Sequence, residues 1–167
     1  MKTRKLAALF TLTVLSAPCW ADNLLAVTNA GNATFTPCTT ADLDLSSAAG
    51  NQSVFNFFNP AAGPVTVMFC AECAAGGTPN QWVAVNIFVD PAPITAGPAG
   101  DVLVPPSSGL NALCSGNGTA GLDGWIDACV RGVINLPVGL NSVRVQKTAG
   151  NGSPSCWIGD TSTVVER

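Results

Sequence analysis

The sequence predicts an all-β fold in which two antiparallel sheets pack face to face as a sandwich. Three observations predict it. Short runs rich in Val, Phe, Ile and Thr are each followed by a cluster of Gly, Pro or Asn. Few stretches show the i, i+3, i+4 apolar spacing of an amphipathic helix. Charged residues make up only 10% of the chain, so the Glu, Lys and Arg that would clothe exposed helix faces are scarce. A length of 167 residues bounds the chain to one domain of ordinary size.

The elements follow in order. Lys2, Arg4 and Lys5 precede the apolar stretch Leu6 to Leu15, which is too short to span a bilayer, and Cys19-Trp20-Ala21 puts small residues at the two positions a signal peptidase inspects. Residues 1–21 therefore read as a secretory signal, and 22–167 as a single domain with no later run long enough to cross a membrane. A lipid anchor on Cys19 is disfavoured because Cys19 follows Pro18 rather than a small residue. Cleavage after Ala21 removes three of the seven basic residues and none of the ten acidic ones, so 4 stand against 10 and the mature charge is −6. The destination is the exterior or the periplasm.

Strands are expected at Ala33–Cys38, Ser53–Phe58, Val65–Cys73, Trp82–Val89, Asp101–Val104, Trp125–Arg131, Val133–Leu136, Ser142–Lys147 and Thr161–Glu166, each bounded by turn residues. Alternation assigns faces. Val83, Val85, Ile87 and Val89 form one aliphatic row suited to the core, and Val143 and Val145 point inward with Arg144 outward. In the last strand Val164 and Val165 are adjacent, so alternation assigns it no face. The Pro-rich stretch from Asp90 to Gly109 reads as a long loop carrying an edge strand at Asp101–Val104.

The mature chain keeps Cys38, Cys70, Cys73, Cys114, Cys129 and Cys156, an even set in an oxidising compartment, so three disulfides are expected among 15 possible pairings. Cys70 and Cys73 are an odd number of residues apart on a strand, face opposite ways and need different partners. Cys70-Ala71-Glu72-Cys73 matches a redox C-x-x-C only in spacing. It follows a β-branched strand, where a redox pair needs its first Cys at a helix N-terminus. Dispersed thiols in such a compartment favour bridges over a zinc site.

The absence of His from the sequence excludes serine–histidine and cysteine–histidine nucleophiles, imidazole metal ligands and a histidine pH switch. The acidic balance argues against nucleic acid and anionic membranes, which need clustered Lys and Arg. The loop Ser115 to Gly124, with Asn117, Asp123 and nearby Asp127, offers oxygen ligands of the kind calcium uses, but lacks Asp-x-Asp-x-Asp spacing and a following bidentate Glu. It is expected to be a solvated connection, and no cofactor is assigned. Asp123, Asp127 and Asp160 are the carboxylates a hydrolase would have to hold across a cleft. Trp82, Trp125 and Trp157 are candidates for stacking on sugar rings or apolar partners, with plugging of the sandwich ends as the alternative. Glycosylation sequons at Asn32, Asn51, Asn117 and Asn151 matter only in a eukaryotic secretory route.

Val67 to Cys73, Val85 to Asp90, Val133 to Val145 with its Leu-Pro-x-Gly turn, and Trp157 to Val165 together resemble, in order and style, the jelly-roll domains of the tumour necrosis factor and complement globular-head type. They also resemble secreted bacterial β-sandwich proteins of that general look. The resemblance implies a jelly-roll-like sandwich, and an immunoglobulin-like sandwich is the alternative because its hairpins use the same turn. It implies a homo-oligomer, a trimer by analogy, and supplies no catalytic residues. In that topology the first strand lies beside the last, which pairs Cys38 with Cys156; Val65–Cys73 lies near Trp125–Arg131, which pairs Cys70 with Cys129 and leaves Cys73 for Cys114. The leading functional expectation is an exported non-enzymatic protein with a structural, adhesive or binding role toward a glycan or protein surface. The alternatives are a carbohydrate-binding module using exposed Trp, with or without calcium, and a carboxylate hydrolase.

Overall fold

Alternation along the strands decides which side chains meet between the sheets. A computed structural model describes residues 22–46, 52–77, 81–91, 102–104, 112–116, 126–150 and 153–167. The proposed signal, Asn51, Asn117, Asp123, Trp125 and Asn151 lie outside the described residues. Ten strands follow in order: β1 (Asn23–Phe35), β2 (Ala41–Asp42), β3 (Val54–Asn59), β4 (Gly63–Ala75), β5 (Trp82–Asp90), β6 (Val102–Leu103), β7 (Ala112–Ser115), β8 (Ile126–Leu136), β9 (Gly139–Gly150) and β10 (Cys156–Glu166).

One sheet has the order β1-β10-β4-β8, the other β2-β9-β5-β6, and every strand pairing is antiparallel. Strand β3 continues beyond β2 along β9, and β7 beside β6 along β5, so each sheet is four strands wide. First and last strands are neighbours, and each sheet interleaves strands from both halves of the chain. This is the double Greek key of a jelly roll, not an immunoglobulin-like arrangement.

The core follows the predicted rows. Val83, Val85, Ile87 and Val89 of β5 and Val143 and Val145 of β9 are fully buried and face Val65, Val67 and Phe69 of β4. Arg144 points outward, stacks its guanidinium 4.1 Å from the Phe88 ring and pairs with Asp42. In β10, Val165 is buried and Val164 turns outward. The hairpin between β8 and β9 turns through Gly139 at φ +128°, a backbone that only glycine adopts freely.

Several elements differ from the sequence expectation. The first strand starts at Asn23 and stops at Phe35, so Cys38 lies beyond it. It is an edge strand exposed over much of its length, and its Asn- and Ala-rich sequence shows no apolar stripe. The stretches 125–131 and 133–136 form the single strand β8, because inward-facing Gly132 keeps its pairing with Val67. Strands β2 and β7 are too short for alternation to reveal.

Cys38 is bonded to Cys156, with Cα atoms 5.4 Å apart, and Cys70 to Cys129, directly opposite it across β4 and β8. Cys73 faces the other way into the core, as its odd spacing requires. Cys73 and Cys114 are both buried thiols, hydrogen-bonded to each other. That bond and burial push the Cys73 thiol upward, so it is a poor thiolate. With Cys70 committed to Cys129, the C-x-x-C segment is not a redox pair.

Candidate binding site

The two edges β1 and β2 face each other across the mouth of the sandwich, and a double irregularity opens a cleft between them. Against β10, the register of β1 shifts between Asn29 and Asn32, so Ala30 and Gly31 bulge out. Against β4, the register of β10 shifts between Gly159 and Ser162. At that step Asp160 takes φ +45°, a conformation most side chains avoid, which marks a locally strained backbone held by its surroundings. Two bulges at one level re-aim the side chains between them.

The resulting cleft has a volume of about 360 Å³. Its apolar bed is Phe35, Leu43 and Ile158, and its polar wall holds Asp44, Ser46 and Thr161. Asn29 fastens the rim: its Nδ2 donates to the Asp44 carbonyl at 2.8 Å, and its Oδ1 accepts from Gly31 N–H at 2.8 Å. Asp42 Oδ1 accepts from Arg144 Nη1 at 2.8 Å and from Gln146 Nε2 at 3.2 Å, so its charge is matched. Asp44 is exposed and has no ion pair among the described residues. Thr161 is buried, and its Oγ1 has no hydrogen-bond partner among them. An unsatisfied buried hydroxyl costs about 1–3 kcal/mol, so it calls for a reason.

Behind the bed stands Lys147. It is in phase with Val143 and Val145, so the pleat turns it inward, where it is fully buried. Its ammonium donates to the Thr39 carbonyl and lies 3.9 Å from the centroid of the Phe35 ring. Burial lowers its pKa below the ordinary lysine value. Phe35 is opposite Cys156 in the ladder, so the Cys38–Cys156 bridge anchors the bed from the far side.

Of the residues singled out from the sequence, Asn32 lines the cleft, and the tryptophans and carboxylates that the structure describes lie elsewhere. Trp157 is half-buried on the outward face of β10, and its indole crosses Gly159: a Cβ there would stand 2.6 Å from Cη2 of the ring and 2.9 Å from Asn32 Cβ. Trp82 begins β5 on the outward face of the opposite sheet, with its Nε1 buried and unpartnered among the described residues. The two tryptophans therefore form no common platform. Asp127 is exposed on β8, directly opposite Glu72, which is opposite Gly159 in turn. Among the described residues no group of three His, Cys, Asp or Glu side chains gathers to hold a metal. Asp160 sits on the β10 bulge, not across a cleft from Asp127. Thr161 and Lys147 carried one sequence signal each: the break in alternation at Gly159-Asp160, and a charged residue in phase with two core valines.

Fold and site together define a disulfide-stapled jelly-roll sandwich with a cleft at its open edge. No protein-family profile and no curated protein matches the sequence. Among solved structures, the chain is similar to a mutant VP2 protein of infectious bursal disease virus at a TM-score of 0.46 and 13% identity, covering 96% of this chain and 36% of that one. This chain therefore spans about a third of the VP2 length. The K3 adhesin domain of the Lys-gingipain of Porphyromonas gingivalis gives a TM-score of 0.40 and 10% identity, over 86% of this chain and 99% of that one. A carbohydrate-binding module of Cellvibrio mixtus lichenase 5A gives 0.35 and 12%, over 87% and 98%. At these scores the likeness carries no functional argument.

Proposed function

We propose that this protein is an exported, non-enzymatic binding module whose ligand enters the cleft between β1 and β2. The observation that supports this reading is the Thr161 hydroxyl, buried in the cleft wall without a partner beneath a strained double bulge. The basic and apolar start of the sequence supports export, and two disulfides fit an oxidising compartment. No helix among the described residues is long and apolar enough to cross a membrane. The test is a heteronuclear NMR screen of the disulfide-bonded chain against a mixed library of small molecules. Hits that shift the amides of Asn29, Gly31, Asp44 and Thr161 support the reading; a library that leaves all four unmoved overturns it.

A second reading places a glycan on the outward face around Trp157, where the indole, Asn32, Glu72 and Asp127 lie in one stretch of sheet. Glycan-array binding that Trp157→Ala abolishes would favour it. Self-association into a trimer is part of the same proposal, by analogy with the trimeric jelly rolls that the sequence resembles.

A further inference from the structure

We infer that the ligand of the edge cleft is a neutral saccharide, held as one or two sugar rings between the Phe35–Ile158 bed and the Asp44–Thr161 wall. This rests on the cleft being a binding site, and four observations select the ligand class. The first is charge. Among the described residues no cationic side chain lines the cleft to select an anion, and of its two carboxylates Asp42 is matched by Arg144, which leaves Asp44 as a lone acceptor rather than an acidic cluster that would select a cation. The second is the kind of polar group offered. Each end of the Asn29 amide already holds one hydrogen bond, so the groups chiefly on offer are the Asn32 amide, the Asp44 carboxylate and the hydroxyls of Ser46 and Thr161. That set accepts hydrogen bonds from a ligand rich in hydroxyl donors and can return one from each hydroxyl.

The third observation is the juxtaposition of an apolar bed with that polar wall. A sugar ring has an apolar face of C–H groups and a polar edge of hydroxyls, and a cleft with one side of each kind orients it. The fourth is size. A volume of about 360 Å³ is at the small end of ligand clefts, which run from about 300 to 1,000 Å³. The walls are preformed: the Asn29 bonds hold the bulge, and the Cys38–Cys156 bridge holds the strand behind Phe35. Little ordering is left to oppose binding.

The test uses the full chain produced in an exporting host with its disulfides formed, titrated by NMR and calorimetry with a panel of hexoses, N-acetylhexosamines and their disaccharides. At least one sugar is expected to shift the amides of Asn29, Gly31, Asp44 and Thr161. Thr161→Val, which keeps the shape and removes the hydroxyl, should weaken it about tenfold. Thr161→Ser should keep most of the affinity, and Trp157→Ala should leave it unchanged. If Thr161→Val binds as tightly as the parent, the inference is overturned. The same holds if no sugar moves those amides while amines or carboxylates do, an outcome in which the binding-module reading survives and the saccharide class does not. Loss of sugar binding in Trp157→Ala alone would move the site to the outward face and also overturn it.

Discussion

Oxidation of the Cys73 and Cys114 thiols to a third disulfide should stabilise the fold by about 3 kcal/mol. Both sulfurs are buried and already hydrogen-bonded, and the parallel bridge between Ala75 and Gly116 sets β4 and β7 in the register that places residues 73 and 114 side by side. The reaction removes two protons and two electrons from the thiols and passes them to a disulfide oxidant such as oxidised glutathione, which leaves as two thiols. In an otherwise open chain the bridge would close the 41 residues from 73 to 114, an entropy of closure of about 3.9 kcal/mol. The Cys70–Cys129 bridge already ties the flanks: 70 and 73 are only three positions apart, and 114 and 129 fifteen. An 18-residue path therefore already joins the two thiols, and closing it is worth about 3.2 kcal/mol. For a domain of this size that is roughly 10 °C in Tm. The assay is calorimetry before and after oxidation, with non-reducing peptide mapping to identify the bridge and Cys114→Ala as the control that shows no gain. A peptide linking Cys70 to Cys114 would refute the reasoning, as would an unchanged Tm after a mapped 73–114 bridge.

Three further outcomes follow from the structure. Gly159→Ala should lift the Trp157 indole off β10 and cost on the order of 1–3 kcal/mol, because its Cβ would meet ring atoms and Asn32 backed by strand; near-ultraviolet circular dichroism and urea melts read both effects, and an unchanged indole signal counts against this packing. Burial lowers the Lys147 pKa below its ordinary value of 10.5, so across the window between the two values the unfolded chain binds more protons than the folded one. Stability should therefore rise with pH through that window and level off above it. Lys147→Met should flatten the rise, and an equally steep rise in the variant would show that Lys147 does not cause it. Light scattering on the oxidised protein should give three times the chain mass, and a clean monomer would remove the trimer from the proposal.

The interior was legible from sequence wherever a strand is buried on one face only. Val83, Val85, Ile87 and Val89 alternate because neighbouring residues on a pleat point opposite ways, and the same rule separates Cys70 from Cys73. Applied consistently, the rule also turns Lys147 inward, but charge obscured that assignment: a buried lysine is tolerated here only because the Thr39 carbonyl and the Phe35 ring stand beside it. The first strand was poorly legible because an exposed edge leaves its sequence free to be polar. The cleft was not legible at all, since a bulge breaks the alternation that a sequence reading depends on.

Composition, period-two alternation and the even set of cysteines within 22–167 by themselves determine an all-β, turn-rich chain suited to an oxidising compartment, because these properties act over a few residues or over the whole average. The tertiary structure alone decides which strands become neighbours. The Asn29–Thr161 pairing and the Cys38–Cys156 bridge join segments more than a hundred residues apart in sequence. Contacts of that span depend on how both sheets close together, and the cleft between β1 and β2 exists only after they have closed.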